Sequence, residues 1–235
     1  RLPLDFHMYD MYDELAKHLV SKAQDSARQD DSPTATQIWV GVAGPPGSGK
    51  STIASEVCKR VLDSGVGCVV VPMDGFHLTR AQLDQMEDPQ EAHARRGAPF
   101  TFDPRGLLER IRETRRNGRG LFPSFDHGVG DPVEDDVEVT RDHKIVIVEG
   151  NYVLLDGVEV WEEISSCFDE TWAVKCSIET IRERIIKRHM ITGDTHERAM
   201  KRADNNDVLN AKLVLNNYCP SDKIIDLDLC KVSQG

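Results

Sequence analysis

Residues 37–52 read QIWVGVAGPPGSGKST, and this stretch decides how the rest of the sequence is interpreted. Residues 37–43 form a short apolar run of β-branched and aromatic types, which is typical of a buried strand. Residues 44–51 match the pattern GxxxxGK[ST], and the chain then reads as a helix to about Ser64. A glycine-rich turn of this pattern between a strand and a helix indicates a phosphate-binding P-loop. The sequence therefore predicts a nucleotide-binding α/β protein.

The residue types of this loop suit the binding of phosphate oxygens. Backbone N–H groups must approach these oxygens closely, and a Cβ atom on each residue would block that approach. The following helix N-terminus adds about half a positive charge. We expect Lys50 to reach the β- and γ-phosphates of ATP, and Ser51 to bind Mg²⁺. The predicted nucleotide-binding residues of the loop are Gly44, Pro46, Gly47, Ser48, Gly49, Lys50, Ser51 and Thr52.

Composition narrows the classes of partner. The 235 residues carry a formal net charge of −11, which makes a general nucleic-acid binder a poor interpretation because such binding depends on clustered Lys and Arg. No apolar run approaches the ~20 residues that cross a bilayer, and the N-terminus has no signal-peptide pattern. The six cysteines include no CxxC pair and are interpreted as reduced thiols, with a zinc site or a disulfide as the alternative. We expect a cytoplasmic protein with a small-molecule substrate, without nucleic-acid or membrane partners, and either monomeric or homodimeric.

Strands and helices alternate along the chain. The predicted strands are residues 37–43, 65–73, 144–150, 169–177 and 222–229. An amphipathic helix is predicted over residues 7–28, and helix starts are predicted at Thr79 with Gln82, at Asp103 with Pro104, and at Asp194 with Glu197. This alternation favours a doubly wound, mostly parallel sheet of the P-loop NTPase type. We expect one domain over residues 1–235, with a core over 37–230 and a helical lid over about 182–200.

Two segments lack a strong periodic pattern. Residues 87–101 read as an irregular loop. Residues 120–143 read as a loop, FPSFDHGVGDP, followed by an acidic alternating stretch that is compatible with a hairpin at the sheet edge.

Carboxylates follow two of the predicted strands. Asp74 comes after the second strand and Glu149 ends the third. Ligands of open α/β sheets bind at the carboxyl ends of the strands, so neighbouring strands would bring both groups near the bound phosphates. We expect Asp74 to orient an acceptor hydroxyl and accept its proton, with a helix N-cap as the alternative. Glu149 is a candidate Mg²⁺ ligand, directly or through water, and otherwise an ordinary strand-end charge.

A P-loop alone does not distinguish kinases from other nucleotide hydrolases. A GTPase would usually carry an NKxD motif late in the chain, and NNDVLNAK does not fit it. The chain is also short for a motor ATPase.

A set of motifs in order narrows the interpretation. They are GPPGSGKST, MDGFHL, RRGAPFTFDPRGL, FDHG, IVIVEGNYVLLD and RERIIKRH. Together they resemble the phosphoribulokinase/uridine kinase family of P-loop kinases over roughly residues 38–230. The resemblance implies ATP and Mg²⁺, phosphoryl transfer to a hydroxyl of a small metabolite, and a mobile lid.

The resemblance also implies roles for individual residues. The general base of the family falls on Asp74, and its acidic strand-end position falls on Glu149. Its lid arginines match Arg184, which would act with Lys50 on the transferred phosphoryl group, and Arg188, which would contact the nucleotide.

Acceptor contacts are assigned to three further residues, each with an alternative. His127 matches an acceptor-site histidine of the family, although a loop histidine bonded to nearby backbone is an equal interpretation. Arg96, beside Arg95, could contact the acceptor or belong to an exposed loop. His77 could face the acceptor or pack beneath the strand end.

The sequence departs from uridine kinases in the acceptor region. FTFDPRGL stands where uridine kinases carry a DHPDAFD-like segment, and an additional N-terminal helix resembles the pantothenate kinase side of the family. The predicted function is an ATP-dependent kinase that transfers the γ-phosphoryl group to a hydroxyl of a small metabolite, either a nucleoside such as uridine or a pantothenate- or sugar-like acceptor. The alternative is a nucleotide-binding regulatory protein without metabolite kinase activity.

Overall fold

A computed structural model describes residues 4–29, 37–126 and 128–234 of the chain. Within them, six strands form one sheet and two form a separate hairpin. The strands are β1 (Ile38–Ala43), β2 (Cys68–Pro72), β3 (Gly120–Asp126), β4 (Asp131–Val139), β5 (Ile145–Gly150), β6 (Glu170–Lys175), β7 (Lys223–Asp226) and β8 (Lys231–Gln234). The helices are α1 (Leu4–Gln29), α2 (Lys50–Asp63), α3 (Arg80–Leu83), α4 (Pro89–Ala94), α5 (Pro104–Asn117), α6 (Glu159–Ser165), α7 (Ile178–Ile191), α8 (His196–Arg202) and α9 (Val208–Asn216).

The strand order of the main sheet is β2-β5-β1-β6-β7-β8, with only the β7–β8 pair antiparallel. Alternate residues of β1 face opposite layers. Val40 and Val42 join a core with α1 and α2, whereas Trp39 packs with α5, α6 and the β3–β4 hairpin. The sheet is thus covered on both faces, as its near-continuous apolar strands require. The predicted doubly wound, mostly parallel fold is confirmed.

The helix predicted over residues 7–28 is α1. Its apolar stripe, which includes Met11, Leu15 and Leu19, is buried against the core that contains α2. Among the described residues, no helix combines the length and the apolar character needed to span a bilayer.

The acidic hairpin lies elsewhere than expected. The segment FPSFD, read as a loop, belongs to β3 and pairs with β4, and the two strands form their own sheet rather than an edge of the main one. Phe122 explains this position, because its buried ring lies 6.4 Å from those of both Trp39 and Phe76. The pairing register shifts between Phe122 and Ser124, where Pro123 has no N–H to donate.

Other local differences have equally local causes. The segment 87–101, read as a loop, contains α4, whose first turn is capped by Asp88, and a 3₁₀ turn at Pro99–Thr101. The helix after Gly193 is capped by Thr195 and not by Asp194, because the Thr195 side chain accepts from the Arg198 N–H. Helix α6, strand β8 and a π-helical turn at Ala203–Asp207 were not predicted, whereas the caps at Thr79 and Asp103 are as expected.

A buried carboxylate ties α1 to the sheet at the end opposite the P-loop. Glu170 is 3% exposed and accepts hydrogen bonds from Lys22 Nζ at 2.8 Å and Trp172 Nε1 at 2.7 Å. His18 Nε2 lies 2.9 Å from the same carboxylate. Burial alone would raise the pKa of Glu170, but the hydrogen bonds from Lys22, Trp172 and His18 outweigh it and lower that pKa to about 2.

We predict that Glu170→Gln lowers the free energy of unfolding by about 2–3 kcal/mol at pH 7, because cations then face a neutral amide. The pKa of Glu170 is below its unfolded value of 4.5, so its stabilisation is present above that pH and is lost as the pH falls toward about 2. In urea titrations, the difference in the free energy of unfolding between wild type and Glu170→Gln should therefore shrink as the pH falls below 4.5.

The matched control is Glu163→Gln, because Glu163 forms an exposed pair with Arg112. Exposed pairs contribute little, about 0–1 kcal/mol. Equal losses in the two variants, or a wild-type advantage that grows on acidification, would contradict the role assigned to Glu170.

Candidate active site

The loop between β1 and α2 leaves several polar donors open, although the Ser48 N–H donates to the Pro45 carbonyl oxygen at 3.1 Å. Gly49 precedes α2 in a left-handed conformation (φ 94°) and supplies no side-chain cap, so the first N–H groups of α2 have no partner within the helix. The buried Ser48 hydroxyl has no hydrogen-bond partner within the described residues. A Cβ atom at Gly44 would lie 2.7 Å from Ser48 Oγ. This is a cradle for an anion with several oxygens.

The sheet register brings the two strand-end carboxylates to this cradle. Glu149 in β5 pairs with Val42 of β1 on one side and with Pro72 of β2 on the other. Asp74 follows Pro72 by two residues, in a 3₁₀ turn over Met73–Phe76. Because adjacent strands are about 4.8 Å apart, Glu149 lies directly beside the P-loop strand and Asp74 lies one strand further.

Glu149, Lys50, Asp74 and Ser51 share one electrostatic neighbourhood. Glu149 is 8% exposed, and burial raises its pKa. Lys50 and a hydrogen bond with the Ser51 side chain oppose that rise, whereas Asp74 adds to it. A buried carboxylate so close to a second one favours a bound cation.

The oxygen atoms of this neighbourhood fit Mg²⁺. The ion prefers oxygen ligands and usually keeps several waters beside one or two carboxylates and substrate phosphates. Ser51 and Glu149 supply a hydroxyl and a carboxylate. No group of three or more His, Cys, Asp or Glu in the described segments could hold a metal ion by itself, so water and phosphate oxygens would complete the shell.

The turn that carries Asp74 is fixed from several sides. His77 Nδ1 lies 2.8 Å from the Asp74 carbonyl oxygen, and the His77 ring lies between Phe102 and Phe125 at 4.0 and 4.6 Å. A Cβ at Gly75 would lie 2.1 Å from the Pro123 carbonyl oxygen, so only glycine lets the β3–β4 hairpin approach this closely. His77 therefore supports the Asp74 turn, and its contact with an acceptor stays a prediction.

Helix α7 presents Arg184 to the P-loop. A Cβ at Gly47, whose φ is 76°, would lie 3.0 Å from Ile185 Cγ1, so the buried face of α7 packs on the loop. Arg184 Nη1 donates to the carbonyl oxygens of Gly47 at 3.3 Å and Ser48 at 3.2 Å. Arg188, one turn further along, is more than half exposed and lies 3.9 Å from Asp207.

Arg96 is held between the β3–β4 hairpin and the segment after Asp74. The Arg96 guanidinium donates to the Leu78 carbonyl oxygen at 2.9 Å and to Asp131 at 3.0 Å, and it lies over the Phe125 ring. These contacts fasten the hairpin to the segment after Asp74. Arg96 is thus not part of an exposed loop, and its contact with an acceptor stays a prediction. His127 lies outside the described residues.

Further polar residues approach the same region, and sequence reasoning missed Tyr152. Its hydroxyl donates to the Gly97 carbonyl oxygen at 2.6 Å. Burial and the negative charges of Asp74 and Asp207 raise the pKa of Tyr152, and the positive charge of Arg95 lowers it. These charged side chains therefore belong to the same region as the tyrosine. The available signal was the position of NYV directly after the end of β5.

The π-helical turn at Ala203–Asp207 adds polar groups from the other side. The Asp207 carboxylate accepts a hydrogen bond from Nε2 of the buried His189, at 2.9 Å. Asn206, on the same turn, is 8% exposed and accepts from Arg95 Nε at 3.1 Å. Single π turns are rare and often occur at functional sites. From the sequence, Asn205, Asn206 and Asp207 could contact nucleotide or acceptor, and capping or turn roles explain these residue types as well.

Comparisons with known proteins agree with this geometry. The chain matches the profile of the Phosphoribulokinase / Uridine kinase family over residues 39–209. It is 34% identical to "Putative uridine kinase C227.14" of Schizosaccharomyces pombe over 95% of this chain and 94% of that protein. "ATP-dependent kinase-like protein notR'" of Aspergillus versicolor is 39% identical over 69% of this chain and 98% of its own.

A solved structure is also similar to this chain in fold and sequence. A "putative fructose transport system kinase" from Silicibacter sp. TM1040 superposes with a TM-score of 0.76 and 29% identity, over 88% of this chain and 97% of that one. The chain therefore belongs to the phosphoribulokinase/uridine kinase family of P-loop kinases.

Proposed function

We propose that this protein transfers the γ-phosphoryl group of ATP to a hydroxyl group of a small metabolite. The observation that carries the proposal is the register β2-β5-β1, in which Asp74, Glu149 and the P-loop come to adjacent strand ends. Phosphoryl transfer needs little covalent chemistry from the protein and depends on positioning and charge stabilisation.

Each group has a distinct task in this proposal. The N–H groups of Gly47, Gly49, Lys50 and Ser51 bind phosphate oxygens, with Gly44, Pro46, Ser48 and Thr52 beside them. Lys50 and Arg184 stabilise negative charge on the transferred group. Ser51 and Glu149 would hold Mg²⁺, which supplies neutralisation of phosphate charge when bound. Arg188 contacts the nucleotide after lid closure.

Asp74 suits the role of general base better than Glu149 does. Glu149 is buried, and the Ser51 side chain opposes the rise in its pKa, which supports a role for Glu149 on the phosphate side. Asp74 is only half-buried, on a turn braced by His77 and Gly75, so an acceptor can reach it. A fixed carboxylate within hydrogen-bond distance of the acceptor hydroxyl can orient it and take its proton.

The acceptor class is tested by an ADP-release screen. The names of the relatives point to nucleosides and sugars, and the acceptor region of the sequence points away from uridine. The screen should therefore include nucleosides, pantothenate, sugars and glycerate-type acids. Binding of ATP without stimulation of ADP release by any of them would favour the regulatory alternative.

We predict that Asp74→Asn lowers turnover by about a hundredfold or more, because the amide cannot accept the proton. The dissociation constant for ATP should change less than about threefold, since β5 separates the P-loop strand from β2, the strand that leads to Asp74. Steady-state kinetics and equilibrium nucleotide binding measure the two effects separately.

Asp63→Asn is the matched control, because Asp63 is exposed at the far end of α2. Near-normal turnover in Asp74→Asn, or an equal loss in Asp63→Asn, would refute the assignment.

We also predict that Arg184→Gln lowers kcat by about ten- to a hundredfold and that Arg184→Lys recovers part of it, because the positive charge returns without the planar fork. Lys187→Gln, on the exposed side of the same helix, should behave as wild type. An Arg184→Gln variant that keeps its melting temperature and full kcat would exclude Arg184 from charge stabilisation.

A further inference from the structure

Arg95, which follows α4, is held by two buried amides. Its Nε donates to Asn206 Oδ1 at 3.1 Å, and its Nη2 lies 3.5 Å from Asn210 Oδ1. Asn206 and Asn210 are 8% and 3% exposed. Both amides are themselves held, since Asn206 Nδ2 donates to the Arg96 carbonyl oxygen at 2.8 Å and Asn210 Nδ2 donates to Asn206 Oδ1 at 3.2 Å. The guanidinium is therefore fixed in place by neutral groups.

Within the described residues, the one ion pair of Arg95 is long and exposed. Its ion pair with Glu91 is 4.0 Å long, and the Glu91 side chain is 57% exposed. An exposed ion pair of that length contributes little to stability and does little to neutralise the guanidinium. The Arg95 side chain itself is 28% exposed, so the guanidinium is rigidly held and still accessible to a ligand.

A chain of contacts connects Arg95 to the proposed base. His77 Nδ1 lies 2.8 Å from the Asp74 carbonyl oxygen, and the His77 ring lies 4.0 Å from that of Phe102. The Phe102 ring lies 5.5 Å from that of Tyr152, whose hydroxyl donates to the Gly97 carbonyl oxygen. Gly97 follows Arg95 by two residues. The negative charge of Asp74 raises the pKa of Tyr152, and the positive charge of Arg95 lowers it.

Additional positive charge lies beyond Asn206. A cavity of about 450 Å³ is lined by Ala94, Asp194, Arg198, Lys201, Arg202, Asn205 and Asn206. Asp194 is its one lining carboxylate, and it lies 3.5 Å from Arg202 and 3.9 Å from Arg198. Three cations thus face one anion in a chain with a net charge of −11. Such a field attracts small anions to the cavity beside Arg95.

We propose that the acceptor carries an anionic group, a carboxylate or a phosphate, and that Arg95 binds this group while the hydroxyl to be phosphorylated lies at Asp74. The proposal rests on the kinase function proposed above and names the class of its acceptor. Arg95 offers the planar, forked donors that match both anions. Asn206 and Asn210 are positioning residues, because they act through the guanidinium.

Direct binding tests this site. The protein is first saturated with Mg²⁺ and a non-hydrolysable ATP analogue, so that the P-loop is filled and added anions cannot bind there. Two matched pairs are then titrated calorimetrically: glycerate against glycerol, and a pentose 5-phosphate against the free pentose. The pairs separate a carboxylate from a phosphate as the recognised group.

We expect the wild-type protein to bind the anionic member of at least one pair about ten- to a hundredfold more tightly than the neutral member. Arg95→Gln should lose that preference, and Arg95→Lys should keep part of it. Arg112→Gln, which removes an exposed arginine on α5, should keep all of it. A wild-type protein without any anion preference, or an Arg95→Gln variant that retains it, overturns the proposal.

A purely structural role for Arg95 has a different signature. It would lower the melting temperature of Arg95→Gln and leave the ratio of anionic to neutral affinity unchanged, which contradicts the proposal.

Turnover separates this inference from the kinase function. Equal kcat/KM for the two members of each pair supports kinase function and refutes anion recognition. Anion binding that depends on Arg95, without ADP release from any acceptor, supports the anion site and counts against the kinase function. The expected result is a raised acceptor KM in Arg95→Gln with an unchanged KM for ATP.

Discussion

The parallel pairing of β5 between β1 and β2 is the constraint on which the rest of the site depends. It sets Glu149 level with Val42 and Pro72, and so fixes the distance between the P-loop, the buried carboxylate and the turn that carries Asp74. A shift of one residue in β5 would turn Glu149 to the opposite face of the sheet. The apolar residues of these three strands, packed on both faces, prevent that shift.

Around this register, the surrounding structure limits the freedom of individual groups. The β3–β4 hairpin packs through Phe122 on Trp39 and through Pro123 on Gly75. The His77 ring lies against the Asp74 carbonyl oxygen. On the other side, α7 packs on Gly47 and brings Arg184 to the loop carbonyls. Catalysis by positioning requires such rigid supports, because small misplacements of a base or a cation reduce its effect.

Much of the fold and of the phosphate-binding loop was predictable from the sequence, because the sequence patterns that indicate them are local. The P-loop motif, the apolar runs of β1 and β5 and the caps at Thr79 and Asp103 depend on residues a few positions apart. The place of the β3–β4 hairpin was not predictable, since it depends on Phe122 meeting Trp39 across 83 positions of sequence. The grouping of Arg95 with Asn206 depends on a contact between residues 111 positions apart and on a π turn. Such contacts leave no periodic pattern in the chain.

In the proposed reaction, the aligned strand ends serve phosphoryl transfer to a metabolite hydroxyl. The most direct measurement supplies the protein with Mg²⁺, ATP labelled in its γ-phosphoryl group and a pool of small metabolites, and follows the label by mass spectrometry. We expect the label to appear in a phosphate monoester of a hydroxylated metabolite. Label that remains in ATP or appears only in inorganic phosphate would contradict it.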